Sequence, residues 1–543
     1  MSTNPGDAGG YSHSQKLPLY LLIATLPFSD FLQMGAVAFN AAPIMGDLGA
    51  GPEEYSVVAT LYAVVAIAII SLHRWLVEQF GWRSVTIGAG SFFALGALVC
   101  ANCGGLVGFA LGRILMALGC SSFLTAGRVL VNHIPPSARR FTGIKFFAAG
   151  LAWGLVAGPV VASTAFAGSG WRAGFLALTV PAALIAALAA WTLDNKHPAV
   201  HAARQPLPKG LLLLVGSCFL LLHALQRTAF DFFVDKSKLY AALALGLPAI
   251  GVLVGIDARR AHPLIRFREL AHPSYLIGLG VFGICYTVLG ANNFMLPVLL
   301  QRALGSPLEM IGRYLGLGAL AGVASWIVLS RLLPRHQGPM RYYLVGFAAL
   351  LFCGWRLSGL GESASVEQSV LPALVCNGVF IIVVLSTTAM QTFQGVQHDE
   401  ATFSHANQVK NILAQFGIAA GTTLAALCMQ WRSTVRYVRL AESLTSSNTA
   451  LQPALDQLGR HFAATFDAVA APQLALSEVA QRVAQEATFM AATDYFQLLA
   501  VVASLALAAT IAASVWTTAR PRLPGPPLNG KLTEALRRIS SQR

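Results

Sequence analysis

Two ionisable side chains stand inside runs of apolar residues, and they set the chemistry open to this chain. Asp30 is the only acid deep in the first apolar run, and Arg113 lies several residues inside the fourth. A carboxylate in such a place can take up and release a proton. A guanidinium there must face a cavity, a partner or an anion, because an exposed charge in hydrocarbon is expensive. Sets that would support covalent or metal chemistry are missing. There is no HExxH, no GxSxG and no paired carboxylate within an apolar run, so the chain does not read as an enzyme. A structural hydrogen-bonding role for Asp30, and an arginine that snorkels to the outer interface, are the alternatives.

The elements that must hold these groups are membrane spans. Hydrophobic residues make up 55% of the 543 and charged residues 11%, well below the ~25% of a soluble domain. Apolar runs of about 20 residues predict helices rather than a barrel. Fourteen spans are expected at 18–40, 55–72, 84–103, 106–130, 143–165, 172–192, 209–226, 239–256, 274–292, 309–330, 341–358, 370–390, 409–430 and 491–516. The polar start MSTNPGDAGGYSHSQK has no cleavable signal, and the run after it is a full span.

The net charge of +14 is read as loop charge and not as a nucleic-acid surface. Arg74 and Arg83; Arg139, Arg140 and Lys145; Lys196, Arg204 and Lys209; Arg259, Arg260, Arg266 and Arg268; and Arg331, Arg335 and Arg341 cluster in alternate connections. That pattern places both termini in the cytoplasm. Two connections depart from it. Residues 391–408 should face the cytoplasm but carry His398, Asp399, Glu400 and His405. Residues 227–238 should face out but carry Arg227, Lys236 and Lys238. The eight cysteines sit in or beside apolar runs and read as small buried hydrophobes without a disulfide framework. Residues 431–490 hold no span, yet their periodicity predicts helices. One of these would be amphipathic, with Leu476, Val479, Val483 and Ala487 on its apolar face.

Small residues are spaced along 143–165. Gly154 and Gly158 lie one turn apart and allow a second backbone to approach. Pro159 removes a donor in mid-span, which neighbouring helices must cover. Lys410 opens the thirteenth span and is expected to snorkel to the cytoplasmic surface. His223 is expected on a peripheral helix as a packed side chain. Asn292 and Asn293 are candidates for a polar, cavity-lining patch at the outer end of the ninth span.

Five stretches taken together resemble the fourteen-helix drug:proton antiporters of the major facilitator superfamily, the EmrB/QacA type. They are FNAAPIMGDLGAGPEEYSVVATLY (39–62), LVEQFGWRSV (76–85), GRILMALG (112–119), GLVAGPVVAS (154–163), and HPLIRFREL (262–270) with FMLPVLLQRALGSP (294–307). The resemblance covers essentially the whole chain. The long connection, with RLAESL (439–444), Asn448 and FMAATDYF (489–496), is similar to the EmrB branch.

This resemblance implies an all-α polytopic membrane protein with the major facilitator fold. A cytoplasmic tail (1–17) would precede an N-terminal six-helix bundle (18–192) and an inserted pair, helices 7 and 8 (193–258). A C-terminal bundle (259–516) would include the long periplasmic loop 431–490, and a basic cytoplasmic tail would follow (517–543). It also implies proton-driven efflux of small hydrophobic or amphipathic compounds from the bacterial inner membrane, by alternating access. A periplasmic membrane-fusion adaptor and an outer-membrane channel would be partners, with no cofactor, metal or nucleic acid. Export of one endogenous metabolite, such as a siderophore or an aromatic acid, is the alternative.

By the resemblance, Asp30 and Arg113 serve proton coupling or substrate contact. Arg74, Glu78, Gly81 and Arg83 form the conformational loop motif, and Gly154, Gly158 and Pro159 the antiporter motif. The departures are specific. Arg74 and Glu78 replace the family's glycine and aspartate. Met116 stands where the family's RxxQG has glutamine. Asp30 precedes by one turn the position, Met34, that usually carries the acid. Ala162 and Ser163 replace two glycines, so looser packing is expected there.

Overall fold

The computed structural model describes residues 16–135, 138–194 and 210–519, apart from positions 233, 261–262, 334, 336–337, 362–363, 397–398, 445–450, 465–466 and 468–469. The basic tail from 520 onward, the first fifteen residues, Lys196, Arg204, Lys209, His262, His398 and Asn448 lie outside the described residues.

Among the described residues every regular element is helical. The chain runs α1 (Lys16–Phe39), a short α2 (Ala41–Asp47), α3 (Pro52–Asn102), α4 (Leu106–Cys120), α5 (Phe123–His133), α6 (Ala138–Ser169) and α7 (Trp171–Thr192). Then come α8 (Leu211–Asp231), α9 (Ser237–Asp257), α10 (Phe267–Leu270), α11 (Pro273–Val298), α12 (Leu308–Leu332) and α13 (Pro339–Ser358). The last are α14 (Leu371–Phe393), α15 (Glu400–Ser443), α16 (Leu451–Ala463) and α17 (Ala471–Ala519).

Twelve of the described helical segments are long and apolar enough to cross a membrane. One of them, α3, has 51 residues and is broken at Gly81, whose φ of 78° and ψ of 157° lie outside helical values. At 1.5 Å per residue α3 would span about 76 Å, more than twice a hydrocarbon core of about 30 Å. The break at Gly81 turns the chain between two expected spans, and only a residue without Cβ takes that backbone cheaply.

The apolar core is divided. One cluster joins α1, α3, α4, α6 and α7 through residues such as Leu22, Phe93, Phe109 and Phe175. A second is centred on α11 to α17, with Phe282, Phe380 and Phe496. A small third cluster, Ala152, Val156, Val323, Trp326, Leu329 and Ile382, forms the seam where α6 meets α12 and α14. The second cluster also takes in Phe31 and Phe39 of α1 and Ile67 of α3, so the halves share apolar contact beyond this seam.

The close-packing stripe of α6 works as its spacing predicts. A Cβ at Gly154 would lie 2.6 Å from the Phe28 carbonyl oxygen, and one at Gly158 would lie 2.9 Å from Gly35 Cα, both on α1. The expectation of looser packing at Ala162 and Ser163 is corrected. Both are almost fully buried. Ser163 packs directly on Gly312 of α12, so the missing glycine is supplied by the partner helix.

The described parts of the long connection are mostly helical, as its periodicity predicts. α15 and α17 run on past their expected spans, and Asp494 of α17 ties them by accepting from Arg432 (2.8 Å) and Arg436 (2.9 Å) of α15. The proposed apolar stripe is only partly correct. Ala475 and Ala487 are buried but Leu476 is 61% exposed.

Several charged residues of the two departing connections have partners. Arg227 lies inside α8, which ends five residues later than expected, and it binds Asp231 (2.6 Å) and Glu53 of α3 (3.0 Å). Asp399 caps α15 by accepting from the Ala401 and Thr402 backbones. Glu400 meets His133 of α5 at 2.7 Å.

Candidate functional site

A cavity of ≈ 390 Å³ lies between the halves, walled by α1, α3, α4, α8, α11 and α15. Asp30, Gln33, Met34 and Val37 of α1 face it together, because positions i, i+3, i+4 and i+7 share one side of a helix. Its lining is mostly apolar, with a few polar groups set among Phe31, Val58, Phe109 and Ile418.

Arg113, Gln33 and Tyr62 of this lining form a chain. Arg113 Nη1 donates to Gln33 Oε1 at 3.0 Å, and Gln33 Nε2 donates to the Tyr62 hydroxyl at 2.9 Å. The Tyr62 hydroxyl lies 3.0 Å from Cys120 Sγ. The Arg113 guanidinium also covers the Tyr62 ring, 4.1 Å from its centroid, a cation–π contact that keeps a buried charge solvated by an electron-rich face. Arg113 is only 7% exposed, so it does not snorkel. Asp30 lines the same cavity, and the groups acting on its carboxylate are Gln33 and Lys410. Gln33 thus stands between Asp30 and Arg113.

Sequence reasoning missed Gln33 and Tyr62. The signal available was the i+3 spacing of Gln33 from Asp30. The amide that the family motif places three residues after the arginine comes instead from α1. Met116 there offers only a thioether, 3.6 Å from Arg113 Nη1.

Lys410 was expected at the cytoplasmic surface, and that is corrected. It is held between the halves, 5.7 Å from the Phe282 ring centroid and 5.9 Å from that of Tyr286. Phe282 and Tyr286 of α11 thus flank its ammonium group. The peripheral position expected for helix 7 is corrected as well. α8 packs on both α3 and α15 and puts Gln226, Ala229 and Phe230 into the cavity wall. His223 itself stacks on Phe219, with centroids 5.6 Å apart, and is not among the lining residues.

Asn292 and Asn293 both line a small cavity of ≈ 80 Å³ together with Asn377 and Pro159, and Asn293 also lines the central one. Asn292 is buried in a tie between helices, donating to Asn377 Oδ1 of α14 at 2.7 Å and accepting from the Tyr495 hydroxyl of α17 at 2.8 Å.

One end of the interface between the halves is laced by polar ties. Arg74 Nη1 lies 3.5 Å from His405 Nε2, and Gln408 donates to the Ser71 carbonyl at 3.4 Å. Asn411 donates to Thr125 Oγ1 at 2.7 Å. Glu78 pairs with Arg74 one turn before it, at 2.7 Å, so the acid of the loop motif orients Arg74, and Arg74 makes the crossing contact. Gly81 supplies the break in α3, and Arg83 lies two residues on, partly exposed. At the other end the cavity reaches Ala41, Met45 and Pro52. In this conformation these ties join the halves where α15 begins, beside an open cavity of ≈ 680 Å³ lined by Arg74, Glu78, His133 and Glu400.

Comparison with known proteins agrees with this architecture. The sequence profile of the Major Facilitator Superfamily matches residues 23–425. The MdtD protein of Salmonella typhi is 28% identical over 291 residues, which are 51% of this chain and 59% of that protein. The multidrug export protein EmrB of Haemophilus influenzae is 22% identical over 455 residues, 81% of this chain and 86% of that one. The inward-facing crystal structure of a bacterial homologue of the lysosomal transporter Spinster aligns with a TM-score of 0.53 at 14% identity, covering 92% of this chain and 98% of that one. With two half-bundles around a shared cavity and a profile match over most of its length, the chain is a multi-pass membrane protein of the major facilitator superfamily, similar to its EmrB-type multidrug transporters.

Proposed function

We propose that this transporter exports hydrophobic or amphipathic compounds across the inner membrane, driven by protons, by alternating access. The observation that carries the reading is the arrangement of one acid in one largely apolar cavity between two half-bundles. Asp30 lines it beside Gln33, which is linked to Arg113, and Lys410 lies in the adjoining small cavity. Protonation of Asp30 cancels its attraction for Lys410 on α15. Loss of that attraction biases the two halves towards another arrangement. Apolar walls with few polar groups suit a broad range of ligands.

Fourteen crossings follow if α3 crosses twice around Gly81 and α13 crosses too. Both termini then lie on one side, which the Arg-rich connections place in the cytoplasm. The outer ends of α15, α16 and α17 would form the docking surface for a periplasmic adaptor and, through it, an outer-membrane channel. The likeness to EmrB-type proteins supports that assembly.

The test is efflux of a fluorescent amphipath from inverted vesicles. Collapse of the pH gradient is expected to stop it, and Asp30→Asn to blunt it. Transport that ignores both changes overturns the mechanism.

A further inference from the structure

A small cavity of ≈ 70 Å³ borders the central one, with which it shares Leu124 and Tyr286. Two cations enter it, Arg128 from α5 and Lys410 from α15. The Arg128 guanidinium lies 5.8 Å from the Phe147 ring centroid and 5.5 Å from that of Phe393. Phe282 and Tyr286 flank Lys410 in the same way, and Trp326 and Asn407 complete the wall. Among the described residues neither cation has a hydrogen-bond acceptor or an ion-pair partner; ring faces are what they touch.

The surrounding charges do not balance them. Asp30 acts on Lys410 from the central cavity, whereas Arg140 adds a further positive charge near Arg128. One acid, already linked to Gln33, faces an excess of cations in an apolar setting. Aromatic faces offset part of the charge. They cannot supply the full counter-charge that a buried cation requires. A guanidinium and an ammonium converging on a small space match a carboxylate, which accepts from both. The rings around them favour a planar aromatic body beside that head.

Size decides how such a ligand lies. The small cavity holds a head group and little more. Leu124 and Tyr286 line both cavities. A body attached to the head therefore passes these two side chains into the larger apolar chamber. We propose that the Arg128–Lys410 pocket binds the carboxylate of an aromatic acid and that amphipathic organic monoanions are among the cargo. This rests on the export reading above.

The test uses the purified full-length protein in detergent, with 2-naphthoate and its neutral isostere 2-naphthamide as probes and titration calorimetry as the readout. The acid is expected to bind at least about tenfold tighter than the amide, about 1.4 kcal/mol. Arg128→Gln and Lys410→Gln should each abolish that preference, with acid and amide then binding alike. Arg128→Lys should retain part of it, and if one glutamine variant does not fold the other carries the test. Equal binding of acid and amide to the unsubstituted protein overturns the proposal, as does a preference that survives both glutamine changes. Competition by chloride at concentrations matching naphthoate also overturns it, since the pocket would then be an inorganic-anion site. Efflux of a neutral dye from proteoliposomes separates this proposal from the export reading. Dye moved without acid preference sinks only the pocket; acid preference without dye movement sinks only the export reading.

Discussion

Adding one methyl group to α6 tests how tightly it is pressed against α1. In Gly154→Ala the new Cβ would lie 2.6 Å from the Phe28 carbonyl oxygen and 2.9 Å from Phe31 Cβ. Carbon atoms settle about 3.5 Å apart or more, so the helices must separate by about 0.6 Å at that point. Overpacking of this kind costs about 1–3 kcal/mol. A second substitution on the same helix isolates that cost. A Cβ at Gly168 meets nothing within 4 Å, so Gly168→Ala keeps the general helix-favouring effect of alanine, about 0.5–1 kcal/mol, without the clash. The difference between the two variants is therefore the packing term, a factor on the order of 10 or more in the folded ratio. Heating detergent-solubilised protein and following the surviving monodisperse fraction by size-exclusion chromatography reads it. Gly154→Ala should fail at a clearly lower temperature and Gly168→Ala at an equal or higher one. Indistinguishable melting curves would refute the claim that α1 and α6 meet backbone to backbone.

Other outcomes follow from the same structure. Gln33→Leu strips Arg113 of its amide acceptor, a charge-assisted bond of about 1.5–3 kcal/mol; thermal stability and dye efflux should both fall, whereas Gln33→Glu, which can still accept from Arg113, should keep the stability. Asp399→Ala removes the cap of α15 and should cost about 1 kcal/mol at neutral pH. Hydrogen bonds from Thr402 hold the Asp399 carboxyl below the usual carboxylate range. Its stabilisation is thus complete above the ordinary carboxylate pKa and is lost as pH falls through the lower folded-state value. The stability gap between wild type and Asp399→Ala should close in acid, as read by melting at stepped pH. Arg227→Gln cuts a partly exposed link between α8 and α3, so its stability effect should stay below about 1 kcal/mol. Its readout is reactivity of a cysteine placed at Gln226 in the cavity wall, which should rise if α8 is held in place by that link.

Much of the architecture was legible because burial in lipid writes long, simple signals. Apolar runs located the spans, and glycine spacing in 150–158 identified the α1-facing stripe of α6. What stayed hidden depends on pairs far apart in sequence. Ser163 reads as a poor substitute for glycine until Gly312 of α12 is seen opposite it. Lys410 reads as a snorkelling residue by its place near a helix start, since nothing local reveals the ring faces of Phe282 and Tyr286. Gln33 is one amide in an apolar run, and its role exists only because Arg113 and Tyr62 converge on it. The same holds for α8, whose sequence is that of a lipid-facing helix although one edge of it completes the cavity wall.

The unbroken length of α15 has a mechanical meaning. Its 44 residues extend from the polar ties between the halves to well past its expected span, with no proline within. A helix of that length is a rod of about 66 Å. If it pivots by 10° about the gate, its far tip sweeps about 11 Å by the same geometry. Bonds to Asp494 make α17 follow that sweep. The outer hairpin is thereby a pointer: a displacement too small to see at the gate is magnified into one that a probe in the aqueous phase can read.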